Sequence, residues 1–109
     1  MKVTDMQGTA LDWAVAKCEG REVRAWAVHR RLGRCFYSIN WAQGGPIIER
    51  EKIGLDYYPD GSHADGGAWG ASTNEGTIHA LGPTALIAAM RCYVLSKIGE
   101  ELEVPKELQ

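Results

Sequence analysis

The sequence predicts an α+β fold in which a small antiparallel sheet packs on one long C-terminal helix, at about 83–98, with a shorter N-terminal helix, at about 9–19, beside it. Three observations carry this. In the stretch from Gly82 to Gly99, Leu86, Met90 and Tyr93 share one helical face and Ile87, Val94 and Ile98 lie next to it, while Ala88, Cys92 and Leu95 extend the apolar surface round the back. A helix that is apolar on most sides has to be buried under other elements. Near the N-terminus, Leu11, Ala14, Val15 and Cys18 recur at helical spacing. Between these two helices lie short apolar runs separated by turn residues, the pattern of short strands.

Each element has its own signals. Thr9 stands three residues before Asp12, a near-match to a capping box, and Gly20 ends the apolar run, so the first helix is bounded. Lys2-Val3-Thr4 is a weak strand signal. Residues 23–28 alternate loosely, Arg31-Leu32-Gly33-Arg34 reads as a turn, and Cys35 to Ile39 reads as the second strand of a hairpin. In Asn40 to Gly54, Pro46 after two glycines suggests a loop over 40–46 feeding a short helix closed by Gly54; seven residues from Ile47 to Ile53 leave a strand open. Leu55 to Tyr58 and Ala68 to Ala71 read as short strands, with Pro59-Asp60-Gly61 as a turn. Pro83 suits the first position of the long helix, where its missing N–H costs nothing. Gly99 suits the left-handed residue that closes it, and Pro105 blocks a restart.

Length and composition narrow the class. A chain of 109 residues makes one domain, residues 1–109, with 100–109 as an acidic, partly ordered tail. The net charge of −2 supplies no general attraction to a polyanion or a membrane surface. Cys18, Cys35 and Cys92 are odd in number and widely spaced, which fits reduced thiols. With no secretion signal and no apolar run near the ~20 residues of a membrane span, a cytoplasmic protein is expected. Most of the thirteen glycines fall between residues 44 and 82, where loops with unusual backbone angles would carry a binding site.

Catalytic and metal chemistry find little support. His29, His63 and His79 lie far apart with no Cys-x-x-Cys or His-Glu-x-x-His, so neither a metal nor a cofactor is expected. Asp56, Asp60 and Asp65 resemble a calcium loop only in part, since Tyr58 and Gly67 occupy ligand positions. No nucleophile has a local base, although triads can assemble across sequence, and a non-enzyme is expected. The basic run Arg21 to Arg34 reads as a solvated hairpin rather than a nucleic-acid face.

The two Gly-Pro segments are more informative. Gly44-Gly45-Pro46 and Gly82-Pro83-Thr84 each place pliable backbone before a helix start, where unpaired N–H groups can hold an anion. Asn40, Gln43 and Thr84 add polar groups that can read a base or ribose, and Trp41 and Trp69 add flat faces for stacking. Arg50 and Arg91 are suited to bidentate phosphate contacts. Against this, the prolines could merely start helices and the tryptophans could be core. Arg91, set in an apolar helix, has to reach water, face a ligand or, the preferred reading, pair with a carboxylate such as Glu49, Glu51 or Asp12.

Three blocks, Ala10 to Lys17, Trp41 to Glu51 and Gly82 to Val104, taken together resemble the NinX-like family of small accessory proteins of tailed bacteriophages and prophages. The resemblance implies expression in the cytoplasm of an infected bacterium and a role that helps infection; it carries over no catalytic residues. Joined to the candidate base-and-phosphate site, it leads to an expectation of non-enzymatic counter-defence: sequestration of a nucleotide-derived host immune signal, of cyclic ADP-ribose or cyclic-dinucleotide type. A homo-oligomer with pockets near the interface is expected as well. The alternatives are a module that binds a host or phage protein through exposed aromatics, and a nucleotide-cleaving enzyme.

Overall fold

In the computed structural model, residues 1–21, 35–59, 69–73 and 75–106 are described. The elements run α1 (Gly8–Cys18), α2 (Trp41–Glu51), β1 (Gly54–Tyr57), β2 (Trp69–Ser72), β3 (His79–Gly82) and α3 (Ala85–Lys97), preceded by a short 3-10 turn at Val3–Asp5. The three strands form one antiparallel sheet in the order β1-β2-β3, with Leu55 opposite Ala71 and Ala71 opposite Ala80. α3 lies across this sheet, and α1 and α2 pack on its remaining sides. The α+β architecture, with the C-terminal helix packed on a small antiparallel sheet, is the predicted one.

α3 is buried from Leu86 to Val94 without a break. That leaves no wet face for Arg91, which is 7% exposed. Its Nε donates to the Met6 carbonyl at 2.7 Å and its Nη1 to the Leu81 carbonyl at 2.8 Å. These carbonyls stand where a carboxylate was expected, because α3 brings Arg91 to the chain before α1 and to the end of β3. Burial pulls its pKa down from the ordinary value, yet a guanidinium stays charged. The charge is therefore met by main-chain dipoles and favoured by the nearby Asp5 carboxylate.

The helix boundaries show how packing overrides local signals. Pro83 does not take the first helical position: α3 begins at Ala85, capped by Thr84, whose Oγ1 accepts the Ile87 N–H at 3.1 Å. Gly82 is glycine because a Cβ there would lie 2.7 Å from the Ala88 nitrogen, so β3 can turn close against the helix it feeds. Gly99, at φ +108, closes α3 as expected. At α1, Thr9 and Asp12 form no capping box. Asp12 points inward instead, and its Oδ1 accepts the Ser38 N–H at 2.8 Å.

The segment 40–46 departs most from its expected loop. α2 begins at Trp41, with Asn40 as its cap, its Oδ1 accepting the Ala42 N–H at 2.8 Å. Gly44, Gly45 and Pro46 therefore lie inside the helix, a run with poor intrinsic propensity. Tertiary contact accounts for the first glycine: a Cβ at Gly44 would lie 2.6 Å from both Leu86 Cδ1 and the Tyr37 carbonyl oxygen. The helix ends not at Gly54 but at Lys52, which takes the left-handed conformation at φ 55. Cys35 to Ile39 forms a turn and not a strand, with Asn40 N–H bonded to the Phe36 carbonyl at 2.7 Å. The other half of that expected hairpin lies outside the described residues, as do residues 60–68 of the glycine-rich loop 60–76 expected to rim a pocket; Trp69–Ser72 of that loop form β2 instead.

At the other end, the tail folds back on the N-terminus. Lys2 bridges to Glu101, Val3 N–H donates to the Glu100 carbonyl at 2.9 Å, and Val104 is buried. Lys2-Val3-Thr4 thus contributes one bridge and a 3-10 turn in place of a strand.

The two neighbouring glycines of α2 give opposed predictions. Gly44→Ala should destabilise the fold by about 1–3 kcal/mol, because a carbonyl oxygen cannot step aside. Gly45→Ala, whose nearest neighbour would be Trp41 Cε3 at 3.9 Å, should instead stabilise it by up to about 1 kcal/mol. Urea denaturation of the two variants beside the parent checks both signs.

Candidate functional site

The starts of α2 and α3 lie close together because Gly44 seats α2 on Leu86. Beside this contact is an open hollow of about 500 Å³, lined by Ser38, Ile39, Trp41, Leu55, Trp69, Thr84, Ala85 and Leu86. Its walls come from the 37–39 turn, the first residue of α2, the helix-facing side of β1 and β2, and the first turn of α3. The Trp69 ring meets the Tyr57 ring at a centroid distance of 5.0 Å and a tilt of 46°. A second, shallower hollow of about 310 Å³ shares Ile39 and Trp41 and adds Phe36 and Asn40.

The lining is mainly apolar, with polar groups at one edge. Thr84 Oγ1 is occupied as the cap of α3, and the Thr84 carbonyl accepts the Ala88 N–H at 3.0 Å. Among the described residues this leaves the Ala85 and Leu86 amides as the free donors that a helix start carries. Ser38 is almost fully buried; its Oγ makes no hydrogen bond of normal geometry, although it lies near enough to Asp12 to favour that carboxylate. Burial pushes the Asp12 carboxyl up, and the Ser38 amide pulls it back down.

Of the residues singled out in the sequence, Trp41, Trp69 and Thr84 meet at the main hollow and Asn40 at the second. Gln43 holds the approach to α2, its Oε1 accepting the Phe36 N–H at 2.6 Å. Gly44 acts through close packing of the helix backbone, whereas a Cβ at Gly45 would meet only Trp41 Cε3, at 3.9 Å. Arg50 and Arg91 are elsewhere. Sequence reasoning passed over Ile39, Leu55, Ala85 and Leu86. Leu55 and Tyr57 alternate on one face of β1, which was the available signal.

Arg50 anchors a separate ionic cluster. Its Nη1 and Nη2 grip the Glu19 carboxylate at 3.2 and 2.7 Å, and its Nε donates to Glu51 at 2.9 Å. Tyr93 OH accepts from Arg50 Nη2 at 3.1 Å and donates to Glu19, while Lys97 Nζ lies 3.3 Å from Glu51. The cluster ties the C-terminal ends of α1, α2 and α3 together. Hydrogen bonds from Arg50 hold the Glu19 and Glu51 carboxyls below their ordinary range, and burial pushes the Tyr93 hydroxyl up. Burial also pushes the Cys18 and Cys92 thiols up to about 11, so neither is a thiolate at neutral pH. Among the described residues no group of three or more His, Cys, Asp or Glu side chains could hold a metal ion, and no helix is long and apolar enough to cross a membrane.

Two predictions follow from these contacts. Asp12→Ala should cost about 1–3 kcal/mol, because it leaves the buried Ser38 N–H unpaired; Asp12→Asn, which keeps an acceptor, should lose less. Thermal melts of both variants decide this. The lowered Glu19 and Glu51 carboxyls contribute stability that is complete above the unfolded-state pKa of about 4.3 and is lost as pH falls through their folded values. A Glu19→Gln variant should therefore be less stable at neutral pH and show a shallower loss of stability on acidification, measured as urea midpoints from pH 7 down to pH 3.

No curated protein matches the chain. The family model described as Bacteriophage P22, NinX matches residues 2–97, a span that takes in α1, α2, α3 and the sheet. The chain thus belongs to the phage NinX family.

Proposed function

We propose that this phage protein binds a small nucleotide-derived ligand in the hollow between the starts of α2 and α3, and that it sequesters the ligand without cleaving it. The ligand class we infer is a host immune signal of cyclic ADP-ribose or cyclic-dinucleotide type. One observation supports this above the others: two indoles, Trp41 and Trp69, line a hollow of about 500 Å³ that also takes in the first turn of α3. That size falls within the ~300–1,000 Å³ range of small-molecule pockets. In this reading a base stacks against an indole, and a negatively charged or carbonyl oxygen faces the Ala85 and Leu86 amides, where the positive end of the helix dipole lies. Arg50 and Arg91 take no part, because both are engaged in contacts away from the hollow. Among the described residues the lining carries no cationic side chain, and binding there depends on stacking and main-chain donors.

The test is direct. The protein is mixed with cyclic ADP-ribose isomers or cyclic dinucleotides, heat-denatured, and the supernatant chromatographed. Depletion of free ligand before heating and its intact return afterwards is the expected result. A cleaved product would move the protein to the enzyme reading, and no depletion would remove both. Trp41→Ala should weaken binding roughly 5- to 150-fold, the equivalent of about 1–3 kcal/mol for one stacked base. Arg50→Ala should leave affinity unchanged, which isothermal titration can read.

A further inference from the structure

Resting on the reading of the main hollow as a nucleotide site, we propose that the ligand carries two bases, one in each hollow, with Trp41 standing between them. A cyclic dinucleotide meets this requirement, and a one-base signal of cyclic ADP-ribose type does not. The two hollows, of about 500 and 310 Å³, adjoin each other: Trp41 and Ile39 line both and so form the partition. Trp41 is 54% exposed, although α2, which it begins, is seated on the core one turn later through the buried Gly44 and Ile47. A large indole held on a fixed helix start and left half open is a stacking surface already in place.

Each hollow adds an aromatic ring of its own. Trp69 lines the main hollow, and Phe36, 42% exposed, lines the second. A base in either place therefore meets Trp41 and one further ring. Stacking of this kind tolerates any base, because every base has a flat face. Carbon atoms in contact lie about 3.5–4.0 Å apart, so two bases flanking one indole are about 7–8 Å from each other. Two nucleosides joined through phosphodiesters can straddle the indole in this way, whereas a single base fills one hollow only.

The polar groups agree with such a ligand. Asn40 Oδ1 is taken up by the Ala42 N–H at 2.8 Å, so its side chain offers the second hollow only the donors of its Nδ2. The Ala85 and Leu86 amides offer donors to the first. The Trp41 N–H, which makes no hydrogen bond among the described residues, is a further donor at the start of α2, where the two hollows adjoin. These groups suit ring nitrogens, carbonyls and phosphate oxygens. The linker's negative charge then lies by the positive end of the α2 dipole.

Isothermal titration of the full chain with cyclic di-AMP and cyclic di-GMP, beside AMP, GMP and cyclic ADP-ribose, tests this. A cyclic dinucleotide should bind roughly 5- to 150-fold more tightly than the mononucleotide of the same base, the gain of one further stacked base. Phe36→Ala should bring the dinucleotide down to the affinity of its mononucleotide and leave the one-base ligands unchanged, while Phe36→Tyr, which keeps a ring, should retain the difference. The bonds that Phe36 makes to Gln43 and Asn40 are main-chain ones and survive both substitutions. Trp69→Ala should weaken both kinds of ligand. Dinucleotides that bind no more tightly than mononucleotides, a comparison that needs no variant, would overturn the two-base proposal and leave one-base capture standing. So would a tighter dinucleotide that is indifferent to Phe36→Ala. Absence of binding by every one of these ligands would remove both readings.

Discussion

The structure depends on a helix that has no face to give to water. α3 is buried continuously from Leu86 to Val94, so every other element is placed by the need to cover it. The sheet takes one side, α1 and α2 take others, and the chain before α1 together with the tail completes the cover. Each cover has to come close. Gly82 lets β3 approach the Ala88 backbone, and Gly44 lets α2 approach Leu86, in both cases because a Cβ would sit under 3 Å from a neighbouring atom. Arg91 is the single charge in this buried stretch, and it is used as a clamp, holding Met6 and Leu81 carbonyls from two different covers.

The two ends of α3 are finished in different ways. At the C-terminal end, Tyr93 and Lys97 join Arg50, Glu19 and Glu51 in a network that locks the three helix ends together. Charges of both signs are paired there, so that end has a structural purpose. At the N-terminal end the cover stops short. Thr84 caps the helix, but the first-turn residues Ala85 and Leu86 open onto the hollow with Trp41 and Trp69. A helix of thirteen residues is about 20 Å long, which separates the ionic end from the open one. The arginines that looked suited to phosphate are held at the ionic end or in the core, whereas the indoles are at the open end.

This division explains the character of the hollow. Its lining is apolar because it is an unfinished part of the core, formed by residues that would otherwise be buried. Its polar edge comes from main-chain groups at the start of α3 and from Ser38, which Asp12 holds in place through its amide. On the proposed reading, such a site discriminates by shape and stacking, with main-chain donors giving direction to any charge on the ligand.

Much of the fold was legible because burial leaves a periodic mark. The apolar circumference of 83–98, the spacing of Leu11, Ala14, Val15 and Cys18, and the short strands at Leu55 and Trp69 are patterns that any packing of this chain must satisfy. Gly99 was legible for a local reason, since a left-handed residue is nearly always glycine. The segment 40–46 was not, because Gly-Gly-Pro has low helix propensity and only contact with Leu86 and Tyr37 makes that helix worthwhile. Asp12 was misassigned to a cap for a related reason: its true partner, Ser38, is 26 positions away. By itself the sequence determined which helix must be buried, that strands had to cover it, and which aromatic residues were available for a site. Tertiary structure alone decided that Trp41, Trp69 and Thr84 meet while Arg50 and Arg91 do not, because direction and proximity across the chain come from packing and have no periodic signature.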